Sequence, residues 1–190
     1  TFTTGLAKNY AITEHNGQLT MGQSDIGNTD NFEVSQPEDV VYNGVEQKQA
    51  VTVTRLSDKA VLTEGTDYTL AYTTDDTNES SLIKNVGTIT VTVTGTGNYT
   101  GGAVKTYKIT PVTVDITAKS ENFTYDGFAH SNNGWDFTNN TKLVGDDAIT
   151  VAVSGSITNV SESPVANVAG EVTFTTGLAK NYAITEHNGQ

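Results

Sequence analysis

The chain has 190 residues, of which 35% are hydrophobic and none is cysteine, and its formal net charge is −12. This length and apolar content suit one or two small domains rather than one large core, and the missing cysteine excludes disulfides, thiolate zinc sites and cysteine nucleophiles. With 10 lysines and arginines in total, the acidic balance argues against nucleic acids and anionic membranes as partners.

The first eighteen residues, Thr1–Gln18, recur letter for letter as the last eighteen, Thr173–Gln190, at a distance of 172 residues. The identity includes polar positions such as Lys8 and Lys180, which structural constraint alone leaves free to drift. It therefore indicates a recent or actively homogenised tandem duplication. The chain is predicted to be slightly more than one unit of a long array, which favours a repetitive surface protein over an enzyme.

The N-terminal copy reads as a hairpin around the turn Asn16-Gly17, with Tyr10–Thr13 and Gln18–Met21 as its two strands. We assign residues 1–31 to this hairpin, as the end of a preceding module, followed by a linker. The linker contains the first of two acidic stretches that place oxygen atoms at short intervals.

These stretches, Asp25–Asp30 and Asp75–Glu79, are the best candidates for binding Ca²⁺, although neither matches the full spacing of a known calcium loop. Charge runs are usually solvated, so a solvated loop or linker is the stronger interpretation. Calcium that rigidifies the longer connection between modules is the alternative.

From residue 32 onward, apolar residues alternate with threonines at a period of two, which predicts strands with one buried face and one wet face. Turn sequences such as Asn-Gly, Asp-Gly and Gly-Thr-Gly separate these runs, and no window reads as an amphipathic helix. The predicted strands contain Val51–Thr54, Tyr68–Thr73, Thr88–Thr94, Val112–Ile116 and Ile149–Val153.

A second, weaker repeat has a period of 83 residues. Tyr42–Gly44 reappears as Tyr125–Gly127, and Asn98-Tyr99 reappears as Asn181-Tyr182. The long unit is therefore predicted to contain two diverged modules, each a small antiparallel β-sandwich that can fold alone, though marginally.

We place these modules at residues 32–111 and 112–190. The second module is predicted to lack its last strand, because its copy of the hairpin reaches only Asn188–Gln190, whereas the N-terminal copy continues into Leu19–Met21. The open sheet edge that this leaves is expected either to stay bare or to be complemented head to tail by Gln18–Met21 of a neighbouring molecule.

Several short motifs resemble the bacterial immunoglobulin-like repeats of the MBG and YDG kind, and the resemblance covers nearly the whole chain. The motifs of the first module are Tyr42–Gly44, Thr63–Tyr68, Asn85–Thr88, Gly97–Gly101 and Tyr107–Pro111, and the looser ones of the second are Phe123–Gly127 and Lys180–Thr185. The resemblance implies two Ig-like sandwiches in an elongated tandem. It also implies the role of such repeats, which is to form the stalks of secreted or wall-anchored adhesins.

No catalytic residue is assigned, and an enzyme is not expected. His15 and His187 are one duplicated position, which leaves His130 as the other candidate base. A Ser-His-Asp arrangement needs a carboxylate and a hydroxyl placed around that base, and proximity in sequence does not supply them. We interpret His130 as a polar turn or edge residue.

Trp135 beside Phe137 is the one plausible aromatic platform for a sugar. A lone tryptophan in a small sandwich belongs more often to the core, because its burial supplies a large share of a thin core. Core packing is therefore the preferred interpretation, and glycan binding is the alternative.

The expected function is a structural stalk on a bacterial cell surface that extends a functional tip, with neighbouring repeats as partners head to tail. The alternative is an adhesive repeat that binds a host glycan or glycoprotein through avidity. No cofactor, resident metal, nucleic acid or inserted membrane segment is expected.

Overall fold

The structure is a computed structural model that describes residues 11, 13, 15–77 and 82–190. Its strands are β1 (Ser24–Asp25), β2 (Phe32–Val34), β3 (Val40–Val41), β4 (Val53–Arg55), β5 (Tyr68–Thr74), β6 (Gly87–Gly95), β7 (Tyr99–Thr100), β8 (Gly102–Thr110), β9 (Val112–Ala118), β10 (Trp135–Thr138), β11 (Ala148–Ser154), β12 (Val168–Thr176) and β13 (Tyr182–His187). The described helical turns are two short 3₁₀ segments, Val160–Glu162 and Ala179–Asn181. The predicted all-β fold class is confirmed.

No helix among the described residues is long and apolar enough to cross a bilayer.

The largest sheet has the strand order β3-β8-β6-β5, with β3 parallel to β8 and the other neighbours antiparallel. Its central strand β6 shows how the alternation predicted from sequence works. Ile89, Val91 and Val93 are at most 1% exposed, whereas the intervening threonines lie on the other face. The period-two pattern therefore directs one face of this sheet into the core.

In the first half of the chain, residues 24–111, two short pairs complete the structure. β1 pairs with β7 in parallel, and β2 pairs with β4 antiparallel. In the second half, residues 112–190, one sheet has the order β10-β9-β13, and β11 pairs with β12. β9 is antiparallel to β10 and parallel to β13.

The 83-residue repeat is visible in the strand register. Phe32 pairs with Arg55 and Val34 with Val53, and the pairs at the same positions plus 83 are Asp115 with Thr138 and Thr117 with Asp136. Every named sheet stays within one half of the chain.

A single cluster of buried side chains, however, contains residues of both halves, including Ile26, Val91, Ile116 and Tyr182. The division into two tandem modules stays a prediction, and so does the folding of each half by itself.

The predicted N-terminal segment, residues 1–31, is described in part. Tyr10 and Ile12, in the first strand of the predicted hairpin, lie outside the described residues, and Gln18–Met21 belongs to no strand. β1 falls inside the segment that we predicted as a linker, and it pairs with β7. The sheets of the first half therefore begin earlier than the predicted boundary at residue 32.

The two halves differ in where their last strand lies. In the first half, Gly101 has a φ of +66°, and this residue separates β7 from β8, which continues in the other sheet beside β6. The position 83 residues later is Ile184, a β-branched residue that disfavours such a φ. β13 accordingly runs past it and stays beside β9 as far as His187.

As a result, β12 has a strand on one edge only. Its counterpart β6 lies between β5 and β8, whereas β12 pairs with β11 alone. Asn167, the residue immediately before β12, forms an isolated antiparallel bridge with Gly189. Within the described residues, the rest of the second edge of β12 has no paired strand.

We expect Ile89→Ala to lower the free energy of unfolding by about 3 kcal/mol, because the substitution removes a side chain with no exposed surface and leaves a cavity. The matched control is Thr94→Ala on the exposed face of the same strand, with an expected loss below about 1 kcal/mol. Urea titration of both variants measures the difference. Similar losses in the free energy of unfolding would contradict the assignment of Ile89 to the buried face and Thr94 to the exposed face of β6.

Candidate functional site

The most elaborate group of polar side chains in the described structure lies where the two halves of the chain meet. It is centred on Asn181, which ends the 3₁₀ turn after β12 and is 1% exposed. The Asn181 Oδ1 accepts a hydrogen bond from the Val86 backbone N–H at 2.9 Å. Its Nδ2 donates to Asn85 Oδ1 at 3.0 Å. One amide side chain of the second half therefore pairs with both a backbone and a side-chain group of the first.

The contact continues into an ion pair. Asn85 Nδ2 donates to Asp76 Oδ2 at 3.1 Å, and Asp76 Oδ1 lies 2.5 Å from Lys180 Nζ. The Asp76 side chain is 2% exposed, whereas Lys180 keeps a third of its side-chain surface in solvent. A buried carboxylate is tolerated only when its charge and its lone pairs are compensated, and here Lys180 and Asn85 do both.

A second group at the same contact joins two tyrosines through one carboxylate. The Tyr182 hydroxyl donates to Asp147 Oδ2 at 2.5 Å and accepts from the Val144 N–H at 3.0 Å. The Tyr42 hydroxyl, from the first half, donates to the same Asp147 oxygen at 3.3 Å. The two tyrosine rings meet edge to face, with centroids 5.7 Å apart.

Burial raises the pKa of Tyr182 above its ordinary value, and the hydrogen bond to the Asp147 carboxylate raises it further. Both effects penalise a phenolate at this position, so the hydroxyl stays a donor throughout the neutral pH range. The hydrogen bonds that these side chains form are directional, and they fix the orientation of one half of the chain against the other.

The acidic stretches predicted as possible calcium ligands are largely engaged within the protein. Asp25 Oδ1 accepts from the Gly27 N–H at 2.8 Å, and Asn28 Oδ1 accepts from the Asp30 N–H at 3.0 Å, so this stretch closes local turns.

In the second stretch, Asp75 Oδ1 accepts from the Thr88 N–H at 2.8 Å, and Asp76 binds Lys180. Asn78 and Glu79 lie outside the described residues. In the part of the chain that the structure describes, no three Asp, Glu or His side chains form a metal-binding group. Rigidification by calcium stays a prediction.

His130 lies beside a carboxylate that the sequence analysis did not pair with it. Its Nε2 is 2.9 Å from Asp126 Oδ1, and its ring stacks on Phe123 with centroids 4.7 Å apart. The pKa of Asp126 is lowered, first by the hydrogen bond from the Phe128 N–H and then by His130. Asp126 is half exposed and sits in the turn at Gly127, so the pair stabilises a surface turn.

Trp135 and Phe137 lie on the same face of β10, with centroids 5.1 Å apart and an edge-to-face arrangement. Trp135 is half-buried and packs against the core, whereas Phe137 is 38% exposed. Beside them is a shallow depression of about 310 Å³, whose lining includes Lys142 and Asp147. The pair therefore combines core packing with an accessible aromatic surface.

Comparisons of the chain with protein-family models, curated protein sequences and solved structures found no match.

In the sequence, Asn98-Tyr99 and Asn181-Tyr182 stand out only as markers of the repeat, and the role of Asn181 was not predicted. The two asparagines occupy equivalent positions, yet Asn98 is exposed and Asn181 is buried at the contact. The available signal was the repetition of the Asn-Tyr pair within the chain. What each copy touches depends on the neighbouring half.

We expect Asn181→Ala to lower the free energy of unfolding by about 2–4 kcal/mol, because it leaves the Val86 N–H and Asn85 Oδ1 without their partner. The equivalent substitution in the other repeat, Asn98→Ala, is the matched control and should change stability by less than about 0.5 kcal/mol. Urea titration measures both variants. Equal effects would show that the contact contributes nothing to stability.

Stability should also fall steeply at alkaline pH. Tyr182 has a raised pKa in the folded chain, so its contribution is complete below the unfolded pKa of about 10 and is lost as the pH rises toward the folded value. In Tyr182→Phe, the free energy of unfolding should decline less steeply between about pH 9.5 and 11. Tyr125→Phe, which changes a tyrosine that is 62% exposed, should keep the wild-type slope.

Proposed function

We propose that the chain is a spacer repeat from the stalk of a secreted or wall-anchored bacterial adhesin, where it holds a functional tip away from the cell. The observation that carries this proposal is the pairing of two parallel strands, which determines how the fold resists a pull. In the second half, β9 and β13 lie side by side in parallel over six residue pairs, from Val112–Tyr182 to Thr117–His187. The first and the last strand of that half are therefore directly bonded to each other.

This arrangement determines how the second half responds to a pull along the chain. Tension enters at the N-terminal end of β9 and leaves at the C-terminal end of β13. Because the strands are parallel, these points lie at opposite ends of the ladder, and all of its hydrogen bonds are loaded together. An antiparallel hairpin pulled at its open end would instead lose its bonds one by one.

The first half also pairs early strands with late strands in parallel, but it does so in two short ladders. β1 is parallel to β7, and β3 is parallel to β8, so strands from the beginning and the end of that half again lie side by side. The buried polar contact around Asn181 resists reorientation of the two halves. The exact duplication of Thr1–Gln18 supports use in series, and the net charge of −12 keeps neighbouring stalks apart.

The mechanical part of the proposal can be tested by pulling one protein in two directions. The chain has no cysteine, so a pair of introduced cysteines provides unique handles. Thr113→Cys with Glu186→Cys loads the β9–β13 ladder in shear, because these residues lie near opposite ends of it. Thr113→Cys with Ala183→Cys pulls on a directly paired couple and unzips the same ladder.

Single-molecule force spectroscopy should give a rupture force at least about twofold higher for the shear pair, because the hydrogen bonds share the load. The two proteins have the same fold and the same ladder, so the direction of pulling is the sole difference. Equal rupture forces would remove the mechanical basis of the stalk function.

A second candidate function is binding of a host glycan, favoured by the exposed aromatic surface at Trp135 and Phe137. Sugars stack on such rings, and repetition of a weak site in an array would give avidity. The nearby Lys142 and Asp147 supply polar groups at the rim of the depression.

For the binding function, we expect saturable binding to an immobilised glycan panel that Trp135→Ala reduces at least about tenfold, because it removes the stacking surface. Phe128→Ala changes an aromatic residue that is 73% exposed and outside this surface, and it should bind as the wild type. Absence of binding to every glycan would leave the spacer function alone.

A further inference from the structure

One side of the contact between the two halves is the turn Tyr42–Gly44 of the first half. The Tyr42 hydroxyl donates to Asp147 Oδ2 at 3.3 Å. A Cβ built on Gly44 would lie 2.9 Å from Val144 Cγ1, so the backbone of this turn approaches the second half closely. Tyr42 is 7% exposed. The turn therefore presents a tyrosine and a glycine that the opposite half covers.

The 83-residue repeat places a copy of this turn in the second half, at Tyr125–Gly127, which we call the turn face. The two turns have the same conformation. In each, the side-chain oxygen of the central residue accepts a hydrogen bond from the backbone N–H two positions later, at 3.0 and 2.9 Å. The two glycines have φ angles of +81° and +87°. Tyr125 differs from Tyr42 in its surroundings, because it is 62% exposed.

The repeat also duplicates the other side of the internal contact. Val144, Asp147 and Asn181 lie 83 residues after Val61, Glu64 and Asn98, which we call the tip. Two of these pairs are identical, and the third exchanges one carboxylate for another. Val61 is 63% exposed, and Glu64 and Asn98 are exposed as well, whereas their counterparts in the second half are buried or half-buried at the contact.

The loops that carry the tip are held together. The Thr96 N–H donates to the Asp67 carbonyl at 2.8 Å, and the Thr96 hydroxyl donates to the Thr66 carbonyl at 2.9 Å. The tip is therefore a defined surface. Each half thus carries both sides of the same kind of contact, and in the described structure one side of each half is covered and the other is exposed.

We propose that the turn face of one copy of this chain binds the tip of a second copy and so reproduces the internal contact between molecules. Val61 packs on Gly127 as Val144 packs on Gly44, and the Tyr125 hydroxyl donates to the Glu64 carboxylate. This inference rests on the proposed spacer function and specifies how successive repeats engage. The partner is a second copy because its tip has the same residues as the surface that already covers Tyr42.

The contact between copies should be weaker than the internal one. Gly97 and Asn159 occupy the positions equivalent to Lys180 and Asp76, so the ion pair of the internal contact has no counterpart. We expect a dissociation constant of about 1 mM. A weak contact suffices between repeats of one array, because their linkage keeps the effective concentration of the partner at about this value.

Two variants that each disable one side test the contact. Val61→Asp/Glu64→Ala removes the tip without a change in net charge, whereas Tyr125→Asp disables the turn face. Sedimentation velocity at about 2 mM protein in about 0.5 M salt, which screens the repulsion between acidic chains, should show open-ended oligomers of the wild type. Each variant alone should associate at least about tenfold more weakly. Their mixture should form a heterodimer and nothing larger, because one intact face and one intact tip remain.

Val104→Asp, at a residue that is 62% exposed on β8, adds the same charge as Tyr125→Asp and should associate as the wild type. A wild type that stays monomeric under these conditions would overturn the proposal, and so would a mixture that forms no heterodimer. Association that survives in both single variants would also overturn it and would indicate another surface, such as the exposed side chains of Leu19 and Met21.

Disulfide trapping tests the geometry of the contact. Because a Cβ on Gly44 lies so near Val144 Cγ1, the Cβ atoms of these two positions are within about 4.4 Å, which a disulfide spans. A Val61→Cys chain mixed with a Gly127→Cys chain should therefore form a mixed disulfide on oxidation. Its yield, read by intact mass, should be at least about tenfold above that of Val104→Cys mixed with Gly127→Cys.

Equal yields in the two mixtures would overturn the arrangement of tip and turn face. The internal pair Gly44→Cys/Val144→Cys in one chain is the positive control and should form its disulfide without a second molecule. The pulling experiment probes a ladder within one molecule, so it can succeed where this proposal fails, and the reverse.

Discussion

The side chain of Asn181 is the group on which the relation between the two halves depends. A primary amide offers two donors and an acceptor, and burial makes each of them costly to leave unpaired. Here the acceptor meets the Val86 N–H and the amide donates to Asn85, which in turn holds Asp76. An apolar contact would tolerate sliding, whereas these bonds have one good geometry. A series of repeats keeps a defined direction only if each contact is directional in this way.

Much of the fold could be predicted from sequence because alternation is a local property. The alternation of threonine with apolar residues in β6 predicts which face is buried, and this prediction needs no knowledge of the neighbouring strands. Ile89 and Val91 are fully buried, as the pattern predicts. The 83-residue repeat likewise anticipates the equal register of β2–β4 and β9–β10, whereas β11–β12 departs from the register of β5–β6.

The candidate sites were harder to predict because their chemistry arises between segments that are distant in sequence. From the sequence, Asp76 is predicted to be one more residue of an acidic loop. In the structure it forms an ion pair with Lys180, which lies more than a hundred positions later. The equivalent Asn98 and Asn181 have the same neighbours in sequence and opposite exposure. Two glycines lie where the first half leaves one sheet for the other: Gly101 has a φ of +66°, and a Cβ at Gly102 would meet the Val93 carbonyl. The equivalent residues of the second half are Ile184 and Thr185, and there β13 stays beside β9.

The different course of the last strand changes the strand pairing on both sides of the second half. By staying with β9, β13 gains a ladder of six residue pairs, whereas the corresponding ladder β1–β7 has two. Within the described residues, β12 pairs with β11 alone, whereas its counterpart β6 has a paired strand on each edge. In the second half, a longer parallel ladder beside β9 therefore goes together with a β12 that has one paired neighbour in the described structure.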